Sequence, residues 1–226
     1  MSINLPAYQT IQQALQPYGA RLVAVSKIKP VADIQELYHA GQRIFGENYV
    51  QELVQKQPEL PQDIEWHFIG HLQSNKVKYI APFVTMIHAV DSLRLLLEIN
   101  KQAAKHNRVI QCLLQVHIAE EETKFGLDAT ELENLMQEWQ QQPGTAHVRI
   151  AGLMGMATNT DNEAQIEREF RQLQELFRRT KERYFADQDY FRELSMGMSG
   201  DYQLALQCGS TLVRIGSLLF GARIKP

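Results

Sequence analysis

The stretch RLVAVSKIKP, residues 21–30, sets the reading of the chain. Leu22, Val23, Ala24 and Val25 are apolar or small, two of them β-branched, and Pro30 closes the run. The spacing therefore predicts a buried strand that runs to Lys27 and stops just past it. A lysine where a buried strand meets a loop can be partly desolvated, which lowers its pKa and favours the free amine that adds to a carbonyl to form a Schiff base. Taken alone, a strand-end lysine is more often a solvated charge on a snorkelling stem. The residues that separate the two readings lie near the other end of the chain.

Upstream, residues 5–18 carry Leu5, Tyr8, Ile11 and Leu15 at helical spacing ahead of Pro17 and Gly19, which predicts an extra N-terminal helix. After Lys27, VADIQELYHAG (31–41) puts Val31, Ile34, Leu37 and Tyr38 on one stripe and Gly41 at the stop. This strand–helix unit then recurs. RIFGEN (43–48), EWHFIG (65–70), VTMIHAVD (84–91), RVIQCLLQVHI (108–118), VRIAGLMGMA (148–157), ELSMGM (193–198) and LVRIGSLLFG (212–221) read as strands separated by helical patterns. The longest helix, about 162–184, carries Ile166, Phe170, Leu173, Leu176 and Phe177. Eight near-equal units without a Gly/Ser linker predict an α/β protein built as a single (β/α)8 TIM barrel over residues 1–226. An open doubly wound sheet competes, but the SKIKP turn has no GxGxxG.

Composition narrows the partners. Of 226 residues, 44% are hydrophobic and 22% charged, with a net charge of −3, which lacks the basic footprint of a nucleic-acid binder. Cys112 and Cys208 stand apart, without a CxxC, and read as core residues. The N-terminus has no signal-peptide pattern and no segment has the apolar length of a membrane span, so the expectation is a cytoplasmic protein without membrane contact.

In a barrel, function belongs at the C-terminal strand ends, which here supply Lys27, Glu47, Asn48, Gly70, His71, Asp91, His117, Met154, Met156, Ser195 to Ser199 and Arg214 to Ser217. SMGMSG and RIGS follow strands seven and eight and are rich in glycine and serine, so backbone N–H groups and hydroxyls can converge there on a phosphate. An amine on strand one, the neighbour of strand eight, completes a site for an aldehyde that carries a phosphate. Pyridoxal 5'-phosphate (PLP) is the obvious candidate. Lys27 is expected to be the only lysine at the barrel mouth beside strand eight. His67, His71, His117 and Asp91 are the rival metal set, but no HExxH, HxH or paired-carboxylate motif supports a metal.

VSKIKP, FGENYVQE (45–52), WHFIGHLQSNK (66–76), GLMGM (152–156), LSMGMSGDY (194–202) and GSTLVRIGSLLFGAR (209–223) closely resemble, in order along the chain, the PLP homeostasis protein family (YggS/PROSC). The resemblance implies a fold-type III barrel related to those of alanine racemase and ornithine decarboxylase, and a role in vitamin B6 and amino-acid homeostasis without established catalysis. By motif it implies that Lys27 is the Schiff-base residue, that Asn48 lies on the O3' side of the pyridine ring, that Ser199, Gly216 and Ser217 take the phosphate, and that Arg214 faces the pyridine nitrogen. Position 217 is more often Thr in the family, and Ser keeps the hydroxyl. Position 71 is Pro in some members, which would put His71 near the ligand without being required. PLP-requiring apoenzymes are the candidate partners.

Binding without turnover is expected on two grounds. Arg214, facing the pyridine nitrogen, would disfavour its protonation and weaken the ring as an electron sink. The chain also ends at Pro226, six residues after FGAR begins at Phe220, which leaves an expectation of no second domain to close the barrel mouth. A PLP-dependent racemase or decarboxylase, and a barrel enzyme for phosphorylated sugars, are the alternatives.

Overall fold

Strands such as MIHAV (86–90) and LVRI (212–215) are buried along their whole length, as parallel strands must be when helices cover the sheet. The computed structural model describes residues 3–121 and 125–221. In order the chain forms α1 (Leu5–Leu15), β1 (Arg21–Val25), α2 (Val31–His39), β2 (Ile44–Glu47), α3 (Val50–Lys56), β3 (Glu65–Phe68), α4 (Val77–Ile80), β4 (Met86–Val90), α5 (Leu93–Lys105), β5 (Ile110–Gln115), α6 (Ala129–Gln140), β6 (Val148–Met154), α7 (Glu163–Tyr184), β7 (Glu193–Ser195), α8 (Tyr202–Gln207), β8 (Leu212–Ile215) and α9 (Ser217–Phe220). The eight strands pair in chain order, and β1 pairs in parallel with β8 to close the barrel.

Alternation along the strands builds two cores. Val23, Ile44, Met86, Leu113, Ala151 and Leu212 fill the barrel interior. Leu22, Phe45, Ile87, Ile150 and Val213 belong to the outer core with helical residues such as Ile34, Leu53, Ile99 and Phe170. Cys112 and Cys208 are buried free thiols. Among the described residues no helix is long and apolar enough to cross a membrane.

Each strand is shorter than the apolar run that announces it. β1 ends at Val25, so Lys27 stands in the following turn rather than on the strand. LVRIGSLLFG is not one strand: β8 stops at Ile215, Gly216 breaks the extended path at φ −124° and ψ −64°, and Ser217–Phe220 is helical. A largely apolar run of ten residues cannot distinguish one strand from a strand followed by a helix. Leu219 and Phe220 turn into the outer core, and Leu219 O accepts the Asn4 N–H at 2.8 Å, which ties α9 to the start of α1.

On β6 the register slips: Cys112 faces Ile150, but Leu113 faces Gly152. A Cβ at Gly152 would collide with the backbone of Glu193, so only glycine fits between β6 and β7. Gly152→Ala is expected to destabilise the fold by roughly 1–3 kcal/mol, read as a lower denaturation midpoint with an unchanged slope. A midpoint equal to the parent's would show that the sheet yields there at no cost.

Candidate functional site

The C-terminal ends of β1, β2, β7 and β8 border a cavity of about 280 Å³ whose lining includes Lys27, Asn48, Ser199, Arg214, Gly216 and Ser217. The six residues marked by the sequence thus meet at one place. Ligand cavities run from about 300 Å³ upward, so this one suits a small, single-ring molecule. Lys29 lines it too, which corrects the expectation that Lys27 is the only lysine at this mouth. The Lys29 amine donates to Phe220 O at 2.6 Å and fastens the turn after β1 to α9.

Close backbone approach shapes the lining. A Cβ on Gly70 would overlap the Asn48 backbone, and one on Gly216 would lie 3.1 Å from Val25 O. Glycine at these positions lets the ends of β2 and β3, and of β8 and β1, come together. Asn48 Oδ1 is buried and has no hydrogen-bond partner among the described residues.

Arg214 projects from β8 into the barrel. Its Nη1 donates to Ser195 Oγ at 2.7 Å and its Nη2 to Gly155 O at 3.0 Å. Burial pushes its pKa down to about 10, so it stays charged at neutral pH. Behind Ser195 the chain of hydrogen bonds continues to His88 Nδ1 at 3.0 Å, and from His88 Nε2 to His67 Nδ1 at 2.9 Å. An arginine only donates. If the Ser195 hydroxyl donates its hydrogen bond to His88 Nδ1, every link has a donor and only His67 Nε2–H is left unpaired; the opposite polarity also strands the hydroxyl proton. The first arrangement is therefore favoured.

Beside this column lies a buried ion cluster that sequence reading missed. Lys56, buried on α3, donates to Glu47 Oε1 at 2.8 Å, Glu52 Oε1 at 2.6 Å and Ser26 O at 2.8 Å. Ser26 Oγ donates to Glu47 Oε1 at 2.7 Å, and Ile28 N–H to Glu52 Oε1 at 2.6 Å. Burial raises the Glu47 pKa, and the Lys56 ammonium opposes that rise. Ile28 has φ +59°, a conformation that costs an L-residue roughly 1–2 kcal/mol. The one signal in sequence was the Glu52/Lys56 spacing of four, which on a helix reads as an ordinary surface pair.

The rival metal residues do not converge. His67 pairs with His88 inside the barrel, His117 Nε2 lies 2.9 Å from Glu121 O, and His71 Nδ1 is 3.9 Å from Asp91 while its ring stacks on Phe125. His71 lines a neighbouring cavity with Asp91 and Arg94 instead of the one that holds Lys27.

Known proteins share both this sequence and this architecture. Residues 7–224 match the family described as alanine racemase, N-terminal domain. The chain is 42% identical over 219 residues to the pyridoxal phosphate homeostasis protein of Pasteurella multocida, covering 94% of this chain and 91% of that protein. It belongs to the pyridoxal phosphate homeostasis protein family. A member from Aquifex aeolicus is 39% identical over 221 residues, covering 95% of this chain and 94% of that protein. PipY of Synechococcus elongatus, solved with PLP bound, is 36% identical and superposes with a TM-score of 0.86, covering 96% of this chain and 99% of that one. The family expected from the motifs is the family found, and the fold is the barrel they implied.

The two interior histidines give this family member a pH signature. Burial pushes the His67 pKa down to about 3, and burial together with His67 holds His88 well below its ordinary value. An unfolded histidine titrates near 6.5, so below that pH the unfolded chain binds protons that the fold does not. Stability from this source is fully present above about pH 6.5 and falls as pH drops toward 3, by at most about 1.4 kcal/mol per pH unit for each histidine. Melting temperatures at pH 7 and pH 5 are expected to show a clear fall that flattens in His67→Gln. A pH-independent melt in the parent would mean that the fold accommodates the protonated pair.

Proposed function

We propose that this chain binds PLP as a Schiff base on Lys27 and serves vitamin B6 and amino-acid homeostasis as a carrier or regulator, with PLP-requiring apoenzymes as recipients. One observation carries the reading. A single small cavity brings together an amine, a buried guanidinium with no ion-paired carboxylate among the described residues, an unpartnered carboxamide oxygen and a Gly/Ser turn. These groups fit PLP. Arg214 would donate to the pyridine nitrogen, Asn48 would meet the ring hydroxyl, and Ser199 with Gly216 and Ser217 would receive the phosphate through hydroxyls and first-turn N–H groups of α9.

The cofactor supplies an aldehyde. The Lys27 amine would add to its carbon, the carbonyl oxygen would leave as water, and the link is reversible by hydrolysis. Delivery rather than turnover is supported by the names of the relatives and by the lining itself. Besides Lys27, its ionisable groups among the described residues are Lys29, occupied by Phe220 O, and Arg214. Racemisation needs a positioned acid or base on each face of the substrate carbon, and Arg214 at the ring nitrogen would weaken carbanion stabilisation.

Borohydride reduction of the PLP-loaded protein followed by peptide mapping is expected to place the pyridoxyl group on Lys27; finding it on Lys29 would overturn the assignment. Pyridoxal, which lacks the phosphate, should bind much more weakly than PLP, and Ser199→Ala/Ser217→Ala should lose most of that difference. Equal affinities for the two ligands in the parent would remove the phosphate site. Amino-acid turnover at about 1 per second or more, the lower end of typical enzymes, and abolished by Lys27→Ala, would favour a racemase or decarboxylase instead.

A further inference from the structure

PLP binding by itself gives no role to the left-handed backbone at Ile28, the buried Lys56 ammonium or the Glu52 carboxylate between them. Ser26–Lys29 is a β-turn, with Lys29 N–H donating to Ser26 O at 3.1 Å and a positive φ of 59° at its third residue. Gly or Asn is the usual occupant of that position. Ile28 is 53% exposed, so packing does not hold it there. Hydrogen bonds from α3 and from Glu47 at the end of β2 do. Glu52 takes the Ile28 amide, Lys56 holds Ser26 O, and Glu47, itself held by Lys56, takes the Ser26 hydroxyl. Lys56 also donates to the Glu52 oxygen that receives Ile28 N–H, so the fastenings form one network. Lys27 is the residue between the two fastened points, and it lines the cavity. Strained backbone persists only where its surroundings over-determine it, and such places cluster at ligand clamps.

We propose that Glu52 and Lys56 are positioning residues that clamp the 26–29 turn from α3 and so aim the Lys27 amine at its carbonyl partner. This rests on the reading of Lys27 as the Schiff-base residue. The clamp governs how well the amine reaches an aldehyde. Among the described residues Glu52 itself bonds only Ile28 N–H and Lys56, and none of the residues proposed for the phosphate and the ring, which lie in the loops after β2, β7 and β8 and on β8. Two ligands therefore separate the effects: PLP, which needs Lys27, and pyridoxine 5'-phosphate, which keeps the ring, its hydroxyl and the phosphate but carries a hydroxymethyl group in place of the aldehyde.

The decisive variant is Glu52→Ala, because this side chain is partly exposed and its loss leaves Lys56 paired with Glu47. Affinity for PLP, followed by imine absorbance, is expected to fall about tenfold, the scale of the left-handed penalty. Affinity for pyridoxine 5'-phosphate should stay at the parent value. Adding Ile28→Asn, which tolerates the left-handed turn unaided, should restore most of the lost PLP affinity. Lys56→Met should show the same split between ligands; should it lose the fold, the Glu52→Ala pair decides alone. Equal losses for both ligands, no loss of PLP affinity, or no recovery on adding Ile28→Asn would overturn the clamp. A parent protein that forms no imine with PLP would instead overturn the functional reading on which it rests.

Discussion

Hydrogen bonding between the first strand and the last, with Arg21 opposite Leu212 and Ala24 opposite Ile215, closes the sheet and makes neighbours of residues nearly two hundred positions apart. The cavity depends on that closure, because Lys27 leaves β1 while Arg214, Gly216 and Ser217 belong to β8 and its loop. The seam is fastened at both ends. At the lower end Arg21 donates to the buried Glu193 at 2.6 Å, and at the mouth Lys29 reaches Phe220 O. Contacts of such sequence separation carry a loop-closure entropy cost that is met late in folding, so the site forms only with the whole barrel.

The filling of the barrel then decides what the mouth can do. Apolar layers from Val23, Ile44, Met86 and Leu113 leave one polar column, His67–His88–Ser195–Arg214. Two neutral histidines and a serine cannot compensate the Arg214 charge, but they can orient it. The guanidinium is pinned through Nη1 and Nη2 by Ser195 and Gly155, which fixes its plane while it lines the cavity. Orientation thus comes from the protein, while its charge is opposed by burial and favoured by the Asp201 carboxylate.

The fold was legible because alternating strand and helix patterns identify a parallel barrel whatever their boundaries, and a barrel places its site at one end of every strand. That rule and the Gly/Ser loops gave a longer list of strand-end residues, from which the family resemblance singled out Lys27, Asn48, Ser199, Arg214, Gly216 and Ser217, and these six line one cavity. Strand ends were not legible, since LVRIGSLLFG stays apolar while its backbone changes from strand to helix. Nor was the ion cluster. Lys56 on a polar helix and His88 within an apolar run carry no local mark of burial, because their partners arrive from other elements. The left-handed conformation at Ile28 is harder still, since a β-branched residue argues against it and only the α3 carboxylate explains it.

Unpaired polar atoms link the site to the stability of the barrel. Asn48 and Arg214 line the same cavity; among the described residues Asn48 Oδ1 is an acceptor without a donor and Arg214 a cation without an ion-paired anion. An unpaired buried polar group costs about 1–3 kcal/mol, so the protein alone carries Asn48 Oδ1 at some loss of stability, while Arg214 keeps its two hydrogen bonds. A ligand that offers a hydroxyl, an acceptor nitrogen and an anionic group offsets that loss on binding, and by linkage it stabilises the barrel as its concentration exceeds its dissociation constant. Glu47 Oε2 and His67 Nε2 are also unpaired, but neither residue lines the cavity. Their cost is not recovered by the ligand. It goes with the bonds that hold two cavity-lining residues in place, Lys27 through the turn at Ser26 and Arg214 through the column behind Ser195.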